Sequence, residues 1–340
     1  MKILVTGSAG FISGYLVSDL LEAGHEVIGI DNFSKYGQTE KSYDKHPKYK
    51  FVHGDVKDVN LLTECLMDCD HFVMSAAMIG GISYFHEFAY DLLAENERIT
   101  AASFDAAIAA HKKGKLQKVT IISSSMVFEN ANEFPTPEGE QRRCPPPSST
   151  YGFQKLATEY FAQGAWEQYK LPFTIARPFN CVGVGERRAL RDKEIASGNV
   201  KLAMSHVVPD LVQKILKGQD PLHILGNGNQ VRHYTYGGDL AKGIHLCITH
   251  PDALNQDFNL STPVATTVIE LAQAIWQKIY GDKKPFRYTS DPAYEYDVQM
   301  RSPEVTKASN MLGFNSTTSL SEILDEVIPW IDEQIKLGTI

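Results

Sequence analysis

The sequence predicts an α/β protein, a doubly wound parallel sheet with a smaller α/β lobe in the C-terminal half. Two observations carry this. Short β-branched runs alternate with amphipathic stretches through the first half of the chain, the pattern of parallel βαβ units joined by right-handed crossovers. The first run, Ile3-Leu4-Val5, flows directly into a glycine-containing turn at Thr6–Gly14, and a strand–turn–helix of that kind can hold a phosphate group at the helix N-terminus. A chain of 340 residues is long enough for one large α/β unit or two fused lobes.

Taken in order, Lys2–Thr6 reads as a strand, Phe11–Ala23 as a helix and Glu26–Ile30 as a second strand. Phe51–His53, His71–Ser75 and Val119–Ser123 add further short strands, with helices at Val59–Cys69 and Leu92–Lys112. Pro145-Pro146-Pro147 is a stiff connector leading to a helix from Tyr151 to about Lys170, and Phe173–Ala176 is a sixth strand ending at Arg177-Pro178. After Asn180 the pattern breaks. Glu186–Val200 is polar and charged and reads as an inserted loop or lid. From His206 onward short helices and strands alternate less regularly, with turns at Gly226–Asn229 and Ser261–Pro263. The reading therefore divides the chain into residues 1–180, the main sheet, and 181–340, a smaller lobe some of whose pieces return to that sheet.

Bulk properties exclude several classes. With 43% hydrophobic and 22% charged residues the composition is that of a globular protein, and a formal charge of −8 argues against a nucleic-acid binder. An apolar run of the roughly 20 residues needed to span a bilayer is missing, and Ile3–Val5 is too short for a signal peptide. These features, with five cysteines suited to a reducing compartment, point to the cytoplasm. Cys65 and Cys69 share a helix face, but no second Cys/His pair completes a zinc set.

The glycine turn has the context of a dinucleotide fingerprint. Gly7 permits the tight turn, Gly10 lets backbone approach a pyrophosphate, and Phe11 and Ile12 open the helix whose N-terminus faces that charge. Asp31 ends the second strand about twenty residues beyond, where a carboxylate accepts from ribose hydroxyls and repels a 2′-phosphate, favouring NAD over NADP. Asn32 and Lys35 follow it as candidate contacts. Further on, Tyr151 and Lys155 stand one helical turn apart on a common face. A phenol titrates near about 10, too high for a base at neutral pH. A nearby ammonium favours the phenolate, and a hydroxyl from Ser123-Ser124-Ser125 can share the moving proton.

Together these residues resemble the extended short-chain dehydrogenase/reductase family, the NAD-dependent nucleotide-sugar epimerases and dehydratases, over most of the chain. The resemblance implies a Rossmann-type fold with NAD as cofactor and a nucleotide sugar, a UDP-sugar foremost, as substrate. It also implies a homodimer in which Leu92–Lys112 and Tyr151–Lys170 pair with their symmetry mates; Leu156, Phe161 and Trp166 would serve that interface or the core. Gly7 and Gly10 match the family's GxxGxxG and Asp31 its ribose acid. Asp55-Val56 is similar to the adenine-contacting segment, Ala76-Ala77 to the small pair lining the cofactor, and Asn96 with Thr100 to the N-x-x-x-T of the next helix. Ser124, Tyr151 and Lys155 match the catalytic serine/threonine, tyrosine and lysine. Ser124 is chosen for its place three positions before Val127, in the spacing S-[ST]-x-x-V-[YF], with Ser123 and Ser125 as alternatives. Asn180 resembles the asparagine of R-x-x-N that touches the substrate pyrophosphate, and Arg232 and Arg301 resemble the two arginines that bind it. Charge-assisted bidentate bonds suit that task.

In such a site NAD removes a hydride from sugar C4 as Tyr151 takes the 4-hydroxyl proton. The sequel depends on a second acid or base. Decarboxylases of the family carry a glutamate two positions beyond the serine/threonine, dehydratases an Asp-Glu pair one and two beyond, and 3,5-epimerases a cysteine at the second. Here those positions are Ser125 and Met126. Return of the hydride to the opposite face, a 4-epimerisation, is then the simplest outcome. The alternatives are a C4 reductase, a decarboxylase or dehydratase with its acid elsewhere, and a non-catalytic dinucleotide sensor, which has no need of Tyr151 and Lys155 together. Residues Ala76–Ile82, including Gly80 and Gly81, and the arginines Arg187, Arg188 and Arg191 are expected to flank the sugar beside Ser125 and Met126. Those arginines suit a carboxylate, which makes UDP-glucuronate a candidate. Glu129 replaces the glycine that usually follows the V-[YF] pair and reads as a loop carboxylate.

Overall fold

Seven parallel strands make the central sheet, in the order β3-β2-β1-β4-β5-β6-β13. They are β1 (Lys2–Thr6), β2 (Glu26–Asp31), β3 (Tyr49–His53), β4 (His71–Met74), β5 (Lys118–Ile122), β6 (Phe173–Pro178) and, from the second half of the chain, β13 (Gln256–Leu260). The structure, a computed structural model, describes residues 1–80, 87–187, 189–190, 195–202, 206–293 and 298–340. The interior strands β4, β5 and β6 are buried at every position, as strands covered on both faces must be. Register is unshifted along the centre, with Ile3 opposite Val27 on one side and His71 on the other.

Successive residues of each strand feed two cores. Ile3 and Val5 pack with Leu16 and Leu20 of α1 (Phe11–Glu22) and with Leu240 and Ile244 of α6 (Gly237–Thr249). Leu4 points the other way, into a core shared with Leu62 of α2 (Val59–Leu66), Phe104 of α3 (Ala89–Lys113) and Ala162 of α4 (Thr150–Tyr169). Helices of the second half therefore help cover the sheet, α6 foremost, and the seventh strand comes from there too.

The remaining elements build a third core. It joins α5 (Val207–Leu216), β10 (Leu222–Leu225), α7 (Val268–Tyr280) and α9 (Leu320–Leu337) through Leu211, Ile224, Trp276 and Ile323. β15 (Tyr288–Asp291) pairs with β10 in parallel, and α8 (Thr306–Leu312) packs on β13. Three short pairings matter for the site. β7 (Cys181–Val182) pairs with β12 (Thr235–Tyr236), and β11 (Val231–Arg232) pairs with β14 (Thr266–Thr267). β8 (Ile195–Ser197) and β9 (Val200–Leu202) form a hairpin. This hairpin departs from the expected loop at Glu186–Val200. Gly198, at φ +54°, reverses the chain there, a conformation open to glycine. Among the described residues no helix is long and apolar enough to cross a membrane, and no cluster of three metal-ligating side chains occurs.

Candidate active site

The strand order reverses between β1 and β4, and ligands of open α/β sheets bind outside the carboxyl ends of strands at such a point. A cleft of about 800 Å³ opens there. At its base Gly7 has φ +67°, and a Cβ on it would lie 3.0 Å from Ala76 Cα; one on Gly10 would lie 2.9 Å from Gly7 O. Gly10 is also the N-cap of α1 and supplies no capping side chain, so the first amides of that helix remain available to an anion. Thr6 Oγ1 accepts from the amides of Ser75 and Ala76 at 3.2 Å and so fixes the chain leaving β4. Asp31 accepts from Ala9 N at 3.0 Å and Phe33 N at 2.7 Å, each oxygen keeping a lone pair for another donor. Phe11, Ile12, Asn32, Lys35, Asp55, Val56, Ala76 and Ala77 line the same cleft. A glycine cradle, an uncapped helix start and a ribose-height carboxylate fit a dinucleotide.

Asn96 lies elsewhere. It clamps the loop after β4, accepting from Met78 N at 2.7 Å and donating to Met78 O at 2.8 Å. It borders a side cavity of about 20 Å³ beneath the cleft, shared with Lys155 and Thr158. Its place is thus to hold the cofactor-lining loop, not to face the main cleft.

In the middle of the cleft stand Ser124, Ser125, Met126, Tyr151 and Lys155. Of the three serines, Ser124 hydrogen-bonds the Tyr151 phenol, whereas Ser123 donates to Glu159 at 2.6 Å. Burial pushes the Tyr151 phenol up; the Ser124 bond and the charge of Arg301 pull against it. Lys155 donates to Ile122 O at 2.9 Å, and burial brings its ammonium down to about 8 against support from Glu159. The expected help to Tyr151 from a nearby cation therefore comes in this geometry from Arg301. Met126 is buried against Leu92 and Tyr151.

The far wall is assembled by the short pairings. Asn180 O accepts from Thr235 N at 3.1 Å and Arg301 N donates to Val231 O at 3.2 Å, so Asn180, Arg232 and Arg301 converge on the cleft. Tyr234, between the arginines, was assigned no role in the sequence reading. Its hydroxyl is buried on the cleft wall without a hydrogen-bond partner among the described residues. Burial raises its pKa and the charges of Arg232 and Arg301 oppose this. The alternation Arg232-His233-Tyr234 was the available signal, since alternate residues of an extended segment share a face.

The sugar-flanking expectations fare unevenly. Met78 and Ile79 line the cleft, while Gly80 is buried off its wall. Gly81, Arg188 and Arg191 lie outside the described residues. Arg187 does not line the cleft; it sits near Lys41, whose ammonium burial and Arg187 push down. The cause is the path of its segment. Val184 N donates to Tyr15 Oη at 2.8 Å and Leu190 N to Lys35 O at 2.7 Å, tying Val184 to α1 and Leu190 to the loop after β2. Glu186, paired there with His206, is buried.

Glu129 proves structural in part: its carboxylate accepts from Ser149 N at 2.9 Å and Ser149 Oγ at 2.8 Å. Ser149 in turn caps α4 by accepting from Gly152 N at 3.0 Å.

A Rossmann-like sheet carrying this constellation defines a class of NAD-dependent enzymes acting on nucleotide sugars, and the comparisons agree. Residues 3–261 match the NAD dependent epimerase/dehydratase family, to which the chain belongs. It is 28% identical over 98% of both chains to the UDP-N-acetyl-alpha-D-glucosaminuronate decarboxylase of Bacillus cytotoxicus. The UDP-glucose 4-epimerase of Thermotoga maritima, solved with UDP-glucose, is 26% identical and superposes with a TM-score of 0.79 over 98% of this chain and 100% of that one. MoeE5, solved with UDP-glucuronic acid and NAD, is 25% identical with a TM-score of 0.78 over 98% and 100%. The cofactor is NAD.

Proposed function

We propose that this protein is a nucleotide-sugar 4-epimerase acting on a UDP-hexose. NAD, when bound, accepts a hydride from sugar C4 and gives it back. Tyr151 takes the 4-hydroxyl proton, with Ser124 sharing its hydrogen bond, and later returns it. Lys155 and Arg301 supply positive charge while the phenol is ionised. Asn180, Arg232, Arg301 and Tyr234 hold the diphosphate, leaving the hexose to turn and offer its other face. One observation carries the choice of epimerisation. Beside Tyr151 the residues after Ser124 are Ser125 and Met126, and the next carboxylate along, Glu129, is engaged by Ser149. The two positions that would carry a second acid for loss of CO2 or water thus hold none.

The decarboxylase at 28% identity favours a second reading, decarboxylation of a uronate. For a uronate substrate the sequence support narrows to Arg188 and Arg191, since Arg187 lies off the cleft, near Lys41. One assay separates these. Purified protein with NAD is given UDP-glucose or UDP-glucuronate and the products are followed by NMR. The expected result is C4 inversion with no net NADH and no CO2. Release of CO2, or a 4-keto-6-deoxy sugar, would instead identify a decarboxylase or a dehydratase.

We also read the protein as a cytoplasmic homodimer. Phe153, Tyr160 and Phe161 are exposed on α4 and Tyr90 on α3, apolar surface suited to pairing with a second copy. Leu156 is buried in a small cluster with Val127 and Phe179, and Trp166 packs against the core that holds Phe104 and Ala162.

A further inference from the structure

Tyr151 and Lys155 are two members of a row of three. Glu159 follows at the next turn of α4, and the row meets three successive residues at the end of β5. Tyr151 bonds the Ser124 hydroxyl, Lys155 donates to Ile122 O at 2.9 Å, and Ser123 Oγ donates to Glu159 at 2.6 Å. Glu159 is only 6% exposed, and buried donors surround its carboxylate. Arg177, fully buried, donates to it from Nε at 2.7 Å and Nη2 at 2.8 Å, and Gln141 adds a bond at 3.3 Å. A buried ion pair is weak evidence of a stabilising role, because apolar side chains of similar volume commonly do as well. What an apolar replacement cannot do is grip Ser123 or oppose the charge of Lys155.

We propose that Glu159 is a positioning residue for the reaction: through Ser123 it fixes the place of Ser124, and it sets a carboxylate one helical turn from Lys155. The inference rests on the reading of Tyr151, Ser124 and Lys155 given above. The charged and titratable groups around Lys155 are few. Its own helix contributes Tyr151 and Glu159, β6 contributes Arg177 with Asp257 of β13 behind it at 2.8 Å, and Arg301 stands near Tyr151. From α3 the side cavity beside it is lined, among the described residues, by the uncharged Asn96, Ile99, Thr100 and Ser103. Of these, Glu159 is the group that supports the ammonium against burial.

Two variants separate position from charge. Ser123→Ala removes the grip and leaves every charge in place; its kcat for UDP-glucose should fall about tenfold with KM little changed. Its crystal structure, read independently of turnover, should show Ser124 shifted from the Tyr151 phenol. Glu159→Gln keeps the shape and removes the charge; the alkaline limb of its kcat–pH profile should move down by about one unit, a shift that Ser123→Ala should not produce. An unmoved Ser124 together with wild-type kcat in Ser123→Ala overturns the positioning, even if Glu159→Gln does not fold. A Glu159→Gln profile lowered evenly at every pH overturns the charge role. Failure of the wild-type protein to invert C4 of UDP-glucose would count against the proposed function instead, leaving the position of Ser124 in the Ser123→Ala crystal structure decisive.

Discussion

At the scale of single residues, Tyr151 is the side chain on which the proposed reaction turns. A phenol raised by burial, with only Ser124 and Arg301 pulling against it, must still lose its proton for the sugar hydroxyl to be oxidised. Tyr151→Phe is therefore expected to lower kcat by about 10²–10⁴-fold while nucleotide-sugar binding, followed by calorimetry, persists. The sign of the pH dependence follows from the same groups. The phenolate fraction grows as pH rises, so kcat should climb from the acid side. Lys155, brought down to about 8 by burial, then loses the ammonium that the proposed reaction places one helical turn from the phenolate, so kcat should turn over above that pH. A profile flat from pH 6 to 10, measured under saturating substrate, would remove both residues from the chemistry. Gly7 makes a different demand. With φ at +67° and a Cβ position 3.0 Å from Ala76 Cα, Gly7→Ala should cost about 1–2 kcal/mol for the conformation alone. NAD affinity, titrated by fluorescence, should fall with it. These glycines and the Tyr–Lys pair were legible in sequence because local spacing determines their geometry. Tyr234 and Glu159 were not, because their roles depend on charges brought to them by tertiary pairing, from Arg301 beside β11 and from Arg177 of β6.

At the scale of the element, the start of α4 decides where Tyr151 stands. Ser149 caps the helix, Glu129 grips Ser149, and a Cβ on Gly152 would lie 2.6 Å from Pro147 Cβ and 2.7 Å from Met126 O. Helix and catalytic loop are in contact at that glycine. Removing the cap with Ser149→Ala should cost about 1 kcal/mol of stability, read as a lower midpoint in urea, and should weaken turnover further by freeing the first turn. An unchanged midpoint would mean that Glu129 and the proline connector hold the helix without it. The helix itself was evident from the sequence within a residue or two, but not its anchor. Glu129 lies twenty positions upstream of Ser149, beyond any local pattern, and in isolation it reads as an ordinary loop carboxylate. The β8–β9 hairpin escaped for a related reason: two three-residue strands are too short to impose a visible alternation on a polar segment.

For the whole molecule the main question is how the second half of the chain is tied to the first. The six N-terminal strands of the sheet could be read directly from their apolar runs, whereas β13 could not, since Gln256-Asp257-Phe258-Asn259-Leu260 carries three polar residues. They are polar because this edge strand is bound by specific partners. Asp257 accepts from Arg177 of β6 at 2.8 Å and from Lys307 of α8 at 2.8 Å, and Asn259 Nδ2 donates to Thr136 O and Glu304 O, both at 3.1 Å. The two cations outweigh the desolvation that would raise the Asp257 carboxyl and hold it down at about 2. A carboxylate whose folded pKa is depressed contributes stability above its unfolded pKa of about 4, and that contribution, about 2 kcal/mol, is lost as pH falls toward 2. Asp257→Asn should therefore be less stable than the wild type at pH 7, with a lower urea midpoint, and by pH 3 the gap should narrow to about half. A gap of constant size from pH 7 to pH 3 would mean that the carboxylate's charge does not tie β13 to the sheet. Arg177 would then owe its burial to Glu159 alone.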